Sequence, residues 1–188
     1  MATPNAPQRL TLYDARELDA VLQAMAQKAA PLLPPGESAL VGIVRRGEPL
    51  AHRLQEHLVQ CGHPPLPVHA LKVKRYADDL SLLHPETELT ENPQLAGMDL
   101  SRTTLLVVDD VLYEGHSLLR ACAYLAQLGA RHVLAGVLVD RCVSRQPVHA
   151  DVVGLRLQVA PDDIVECNVP PYEPELRIDV LRHGRRCT

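Results

Sequence analysis

The 188-residue chain contains no tryptophan and no phenylalanine, and aromatic residues make up only 3% of it. Its core must therefore be aliphatic, and RNA binding by base stacking on an aromatic platform is not expected. The five cysteines (Cys61, Cys122, Cys142, Cys167 and Cys187) are odd in number and lack C-x-x-C spacing. That argues against a disulfide framework or a zinc site. No apolar run approaches the roughly 18 residues of a membrane span, and the polar, proline-containing N-terminus has no leader pattern. A soluble cytoplasmic protein without a membrane partner is expected. Positive charge is not in excess either: 19 Lys and Arg stand against 23 Asp and Glu, a net charge of −4. Bulk charge gives no drive toward nonspecific nucleic-acid binding, which leaves only a local basic patch open. Internal repeats and low-complexity linkers are also missing.

The hydrophobic content, 46%, suits one globular domain with a single core. Residues 1–9 read as a loose arm. Helical spacing of Ala15, Leu18, Val21, Leu22, Met25 and Ala29 predicts a helix over 14–30, stopped by Pro31, Pro34, Pro35 and Gly36. Apolar runs predict strands at 39–44, 68–73, 104–108 and 132–139, with a shorter one beginning at 152. Helices are expected at 49–60 and 118–128. The polar stretch 74–99, with Pro85 and Pro93, is too long for an ordinary loop and reads as a flap or hairpin. Strand, loop and helix alternate, which predicts an α/β fold: an open, mostly parallel sheet flanked by helices, with a cleft at the strands' carboxyl ends. The domain is expected over 10–166, followed by a tail, 167–188, of no assigned role.

The most informative segment is L-L-V-V-D-D-V-L-Y-E-G-H-S, Leu105 to Ser117. A buried strand runs into two carboxylates, Asp109 and Asp110, then a turn containing Gly115, then a helix. Adjacent carboxylates can accept hydrogen bonds from vicinal sugar hydroxyls, and a turn at a helix N-terminus can hold a phosphate. The competing reading is a solvated acidic loop with Ser117 capping the helix. A second turn, V-G-I-V-R-R-G-E-P-L over Val41–Leu50, can expose amides in a nest beside the Arg46 guanidinium. Such turns are as often only turns. At the base of the flap, K-V-K-R-Y-A-D-D ends at Asp79. Lys74 and Arg75 could close over a polyanion while Tyr76, Asp78 and Asp79 order the segment; a solvated hairpin is the alternative. A fourth loop follows Asp140 and Arg141, and could meet a flat base unless Arg141 is simply the ion-pair partner of Asp140.

Taken together, these motifs resemble the type I phosphoribosyltransferases. Within them they resemble the PyrR family, pyrimidine operon attenuators that also act as uracil phosphoribosyltransferases. The resemblance spans roughly residues 10 to 160 and is most specific over V-D-D-V-L-Y; V-G-I-V-R-R-G, Y-A-D-D-L, L-V-D-R and A-D-V-V-G support it. It implies a site for 5-phosphoribosyl-1-pyrophosphate (PRPP) with Mg²⁺, and transfer of the phosphoribosyl group to uracil to give UMP. Asp109 and Asp110 would hold the ribose hydroxyls and, through these or water, the metal. Tyr113, Glu114, Gly115, His116 and Ser117 would take the 5-phosphate, and Arg46 and Gly47 the pyrophosphate. Lys74, Arg75, Tyr76, Asp78 and Asp79 would begin the flap, and uracil would sit near Asp140 and Arg141. Asp109, Asp110 and Arg141 are the expected catalytic residues, and a homo-oligomer is implied.

The sequence also departs from the family. Glu114 stands for a threonine and His116 for an arginine in the phosphate loop, Ala77 for an arginine in the flap. Cys142-Val143-Ser144 replaces Gly-His-Arg, and Gln158-Val159-Ala160 replaces Pro-Thr-Ser. The tail motifs P-P-Y-E-P and R-H-G-R-R have no family counterpart. A carboxylate facing a phosphate repels it unless turned outward or neutralised. Two rivals to the enzyme reading follow: an attenuator binding UMP or UTP in this pocket and an RNA leader elsewhere, or a nucleotide sensor without turnover. Arg9, Arg16 and Lys28 are the sparse candidates for a basic RNA face.

Overall fold

The computed structural model describes residues 8–73 and 92–182. Five strands form a parallel sheet in the order β3-β2-β4-β5-β6: β2 (Ser38–Ile43), β3 (Val68–Leu71), β4 (Thr104–Leu112), β5 (His132–Asp140) and β6 (Val152–Arg156). Every residue of β2 is buried, as a parallel strand covered on both faces requires. Alternation along β4 divides the core in two. Leu106 and Val108 join Leu18, Leu22 and Met25 of α1 (Ala15–Ala29) and Leu50 and Leu54 of α2 (Gly47–Gln60). Leu105 and Val107 join Leu95 of α3 (Pro93–Ala96) and Leu118 and Leu125 of α4 (His116–Gln127).

Helix α1 starts at a reciprocal cap: the Glu17 amide donates to Asp14 at 2.9 Å, and the Asp14 amide to Glu17 at 3.0 Å. The short α3 lies in the stretch expected to be flap, and corrects it. Asn92 caps this helix, its Nδ2 donates to the Ala70 carbonyl at 2.6 Å, and Leu95 is fully buried. Residues 92–99 are thus part of the body. The flap positions Lys74, Arg75, Tyr76, Asp78 and Asp79 lie outside the described residues.

A second, antiparallel sheet has the order β1-β8-β7, from β1 (Gln8–Tyr13), β7 (Ile164–Asn168) and β8 (Arg177–Arg182). The expected arm and tail therefore pair with one another, and the boundary set at 166/167 falls inside β7. Their apolar residues Val165, Ile178 and Val180 join the core on the α1–α2 side. Asp179 stitches this sheet. It is wholly buried and accepts from Arg9 at 2.7 Å, Thr11 at 2.8 Å, Arg177 at 3.0 Å and Asn168 at 3.1 Å. Burial pushes its carboxyl upward, but the hydrogen bonds from Arg9 and Thr11 outweigh this and hold it below its usual 3.8.

A carboxyl depressed on folding stabilises the fold above its unfolded pKa, and that contribution is lost as pH falls through the folded value. Urea midpoints measured from neutral pH downward should therefore drop steeply below about pH 4. Asp179→Asn should lower the neutral midpoint and flatten that drop. An undiminished acid slope in the variant would mean another group governs acid unfolding.

Candidate active site

β4 extends four residues further than the apolar run suggests, so Asp109 and Asp110 lie within the strand rather than after it. Asp109 pairs with Val137 and Val111 with Val139 of β5. Consecutive strand residues face opposite sides, and the acids divide accordingly. Asp109, 5% exposed, lines a cavity of about 210 Å³ together with Tyr113, Glu114, Gly115, His116 and Ser117. Asp110 faces the other way, with Oδ2 3.8 Å from Nη1 of Arg46. Each carboxylate is steadied locally: Asp109 Oδ1 accepts the Asp110 amide, and Asp110 Oδ1 the Val111 amide, both at 2.9 Å.

The turn after β4 is built for close approach. Gly115 precedes α4 with φ of 90°, and a Cβ there would lie 2.6 Å from Ser144 Oγ and 2.7 Å from Val148 Cγ2. No side chain caps α4, so Ser117 is not its cap. His116, Ser117 and Leu118 of the first turn of α4 line the cavity, and the free amides of a helix N-terminus favour an anion. Glu114 is neutralised rather than turned outward. Its Oε1 lies 3.2 Å from Nη1 of Arg145 and its Oε2 3.6 Å from Nε2 of His116. Its carbonyl accepts the amides of Arg145 and Gln146 at 3.1 and 3.2 Å. The loop after β5 thus supplies a cation beside the Glu114 carboxylate.

The Arg45–Gly47 turn lies against β4: a Cβ on Gly47 would sit 2.3 Å from the Val108 carbonyl and 3.2 Å from the Asp109 Cα. From this turn Arg46 reaches across to the β7–β8 loop. Its Nε donates to both oxygens of Glu173, at 3.1 and 3.3 Å, and its Nη2 to Oε1 as well. The Val169 amide donates to Glu173 Oε2 at 2.8 Å. Hydrogen bonding to Glu173 raises the Arg46 pKa, and hydrogen bonding to Arg46 lowers that of Glu173. Beside them the Arg45 guanidinium stands 5.1 Å from the Tyr172 ring centroid. Cys167 Sγ is 3.9 Å from the Asp110 carbonyl. Burial pushes this thiol well above its usual range, which disfavours the thiolate form.

In the fourth loop, Arg141 is not the partner of Asp140. Asp140 Oδ1 accepts the Cys142 amide at 2.8 Å, and its Oδ2 lies 3.9 Å from Nε of Arg156. Arg141 is buried, its guanidinium 5.3 Å from the Tyr113 ring centroid, and its Nε has no hydrogen-bond partner among the described residues. Glu173 and Arg145 were not among the site residues expected from sequence. The unassigned P-P-Y-E-P motif was the one hint of the former; the latter lies in the candidate loop after Arg141, without a role of its own.

The described residues hold no cluster of three or more His, Cys, Asp or Glu able to cage a metal. Either carboxylate could offer one oxygen to a hard divalent cation that completes its shell from water and substrate, although the two face opposite sides of β4. Among the described residues, no helix is long and apolar enough to cross a membrane.

Residues 10–175 match the phosphoribosyl transferase domain, which makes the class that of the type I phosphoribosyltransferases. The hypoxanthine phosphoribosyltransferase of Trypanosoma cruzi in complex with IMP superposes with a TM-score of 0.68 at 17% identity, covering 96% of this chain and 94% of that one. The Staphylococcus aureus hypoxanthine enzyme superposes at 0.69 with 15% identity, covering 92% of each chain. At these identities the likeness is one of fold. In sequence, the bifunctional protein PyrR of Thermus aquaticus is 34% identical over 145 residues, 76% of this chain and 78% of the relative. That of Oceanobacillus iheyensis is 28% identical over 171 residues, 90% and 95%. The chain belongs to the PyrR family of type I phosphoribosyltransferases.

Proposed function

We propose that the protein transfers the phosphoribosyl group of PRPP to uracil, giving UMP and pyrophosphate. The observation that carries this is the end of β4, where Asp109 lines the cavity at the α4 N-terminus and Asp110 lies beside Arg46, whose turn packs against the same strand. It offers hydroxyl acceptors between two anion-holding turns. In this reading Ser117 and the α4 amides take the 5-phosphate, with Arg145 offsetting Glu114. Asp109 and Asp110 take the ribose hydroxyls, and Arg46 and Gly47 the pyrophosphate. Uracil lies toward Arg141, Tyr113 and Asp140.

Breaking the bond between C1 and pyrophosphate builds positive oxocarbenium character on the ribose and negative charge on the leaving group. The acid pair stabilises the first and Arg46 the second, because both are fixed before reaction. A ring nitrogen of uracil attacks the opposite face of C1, and its proton leaves to solvent. Mg²⁺, held at the acid pair through water or the ribose hydroxyls, would neutralise charge on the departing pyrophosphate. No covalent enzyme intermediate is required. We place this protein in the cytoplasm as a homo-oligomer. In line with the name its relatives carry, we propose a second task as a pyrimidine-responsive regulator.

The regulatory name its relatives carry favours one alternative: UMP or UTP binds here without turnover and the protein acts on an RNA leader. Radiolabelled PRPP with Mg²⁺ and a panel of bases separates the readings. Labelled UMP from uracil is the expected result. Nucleotide from another base would correct the substrate, and UMP binding without product would leave the regulator.

A further inference from the structure

The P-P-Y-E-P motif has no place in the chemistry described so far, yet its side chains grip the turn assigned to pyrophosphate. The loop between β7 and β8 is tight: Val169 is fully buried, and its carbonyl accepts the amides of Tyr172 and Glu173 at 3.1 and 3.3 Å. Glu173 is further fixed by the Val169 amide. Its carboxylate is therefore anchored on its own loop independently of Arg46. Of the guanidinium's five donors, Glu173 occupies those along the Nε–Nη2 edge. The Nη1 edge is left over, directed at Asp110 at 3.8 Å, beyond a strong hydrogen bond. Tyr172 against Arg45 adds a second stitch between the same two loops.

We propose that Glu173 is a positioning residue for pyrophosphate, holding Arg46 side-on so that its Nη1 edge faces the leaving group beside Asp110. This rests on the reading of the site as a PRPP site. An arginine on a mobile side chain loses rotamer freedom when it clamps an anion, whereas one already held by a carboxylate has lost it beforehand. The cost is partial neutralisation of the arginine's charge. Side-on geometry limits that cost, since the free edge keeps its donors. The alternative is competition, in which Glu173 must release Arg46 before pyrophosphate can bind. The two predict opposite signs.

The test is calorimetric titration of the full chain with inorganic pyrophosphate plus Mg²⁺ and, separately, with ribose 5-phosphate. Glu173→Ala should weaken pyrophosphate about tenfold, the scale of one charge-assisted hydrogen bond, and leave ribose 5-phosphate within about twofold. Arg46→Ala should lose at least as much pyrophosphate affinity. Adding Glu173→Ala to it should cost nothing more, because Glu173 acts only through Arg46. Glu173→Gln, which keeps an acceptor for Arg46, should fall between wild type and Glu173→Ala and serves if the alanine variant does not fold. Tighter pyrophosphate binding by Glu173→Ala would establish competition and overturn the proposal. Unchanged binding, additive losses in the double variant, or equal losses for both ligands would overturn it too. Should wild type bind neither ligand, the PRPP reading falls and takes this proposal with it.

Discussion

Asp109→Asn combined with Asp110→Asn is expected to lower kcat/KM for PRPP by about a thousandfold, from two charge-assisted contacts of roughly 2 kcal/mol each. Asparagine is nearly isosteric, and its carbonyl oxygen can still accept the Asp110 and Val111 amides that the carboxylates accept at 2.9 Å. The strand end should survive, and the thermal midpoint should move little. What disappears is negative charge in a buried setting, where it opposes the positive charge developing on the ribose. Because Asp109 and Asp110 face different sides of β4, the single variants should differ in kind. Asp109→Asn should act on the sugar and the phosphate cavity it lines. Asp110→Asn should also disturb Arg46, its neighbour at 3.8 Å. Ribose 5-phosphate binding that is indifferent to both changes would place the sugar site elsewhere in the molecule.

Gly47→Ala should be as damaging for a different reason. The new methyl would lie 2.3 Å from the Val108 carbonyl oxygen and 3.2 Å from the Asp109 Cα. Both are backbone atoms of a central strand, so no flexible side chain can yield. The turn carrying Arg46 must lift from β4, at a cost of about 2 to 4 kcal/mol in stability. Pyrophosphate binding should fall with it. Gly129→Ala is the useful control. It has a φ of 84° but nothing within 4 Å of its Cβ, so only the left-handed backbone penalty of about 1 to 2 kcal/mol applies. Urea denaturation of both variants, together with PRPP kinetics, distinguishes them: activity should be lost in Gly47→Ala and kept in Gly129→Ala. Equal activity in the two would detach the Arg46 turn from substrate binding.

The departures from the family pattern look different once the chain is folded. Glu114 in the phosphate turn is held by Arg145 and approached by His116, so the turn is not left with an uncompensated negative charge. Ser144, where the family has an arginine, donates from Oγ to the Glu114 carbonyl at 3.3 Å. Cys142 follows the same logic. It stands where the family has glycine, and it takes the left-handed φ of 54° that such a position demands.

By itself the amino-acid sequence determined the parallel sheet and the strand, turn and helix around Gly115, because both are written in neighbouring residues. Continuous aliphatic runs mark strands covered on two faces, and the carboxylates, Gly115 and the start of α4 follow one another within a few positions. Tertiary structure alone decided which way each acid faces, since that depended on β4 running on to Leu112. It decided the second sheet as well: β1, β7 and β8 are short, partly exposed strands whose pairing joins the two ends of the described chain. Above all it decided the partners of the site's charges. Glu173 meets Arg46 across 127 positions of sequence, and charge attraction acts through space, so no local pattern in the chain could have announced that contact.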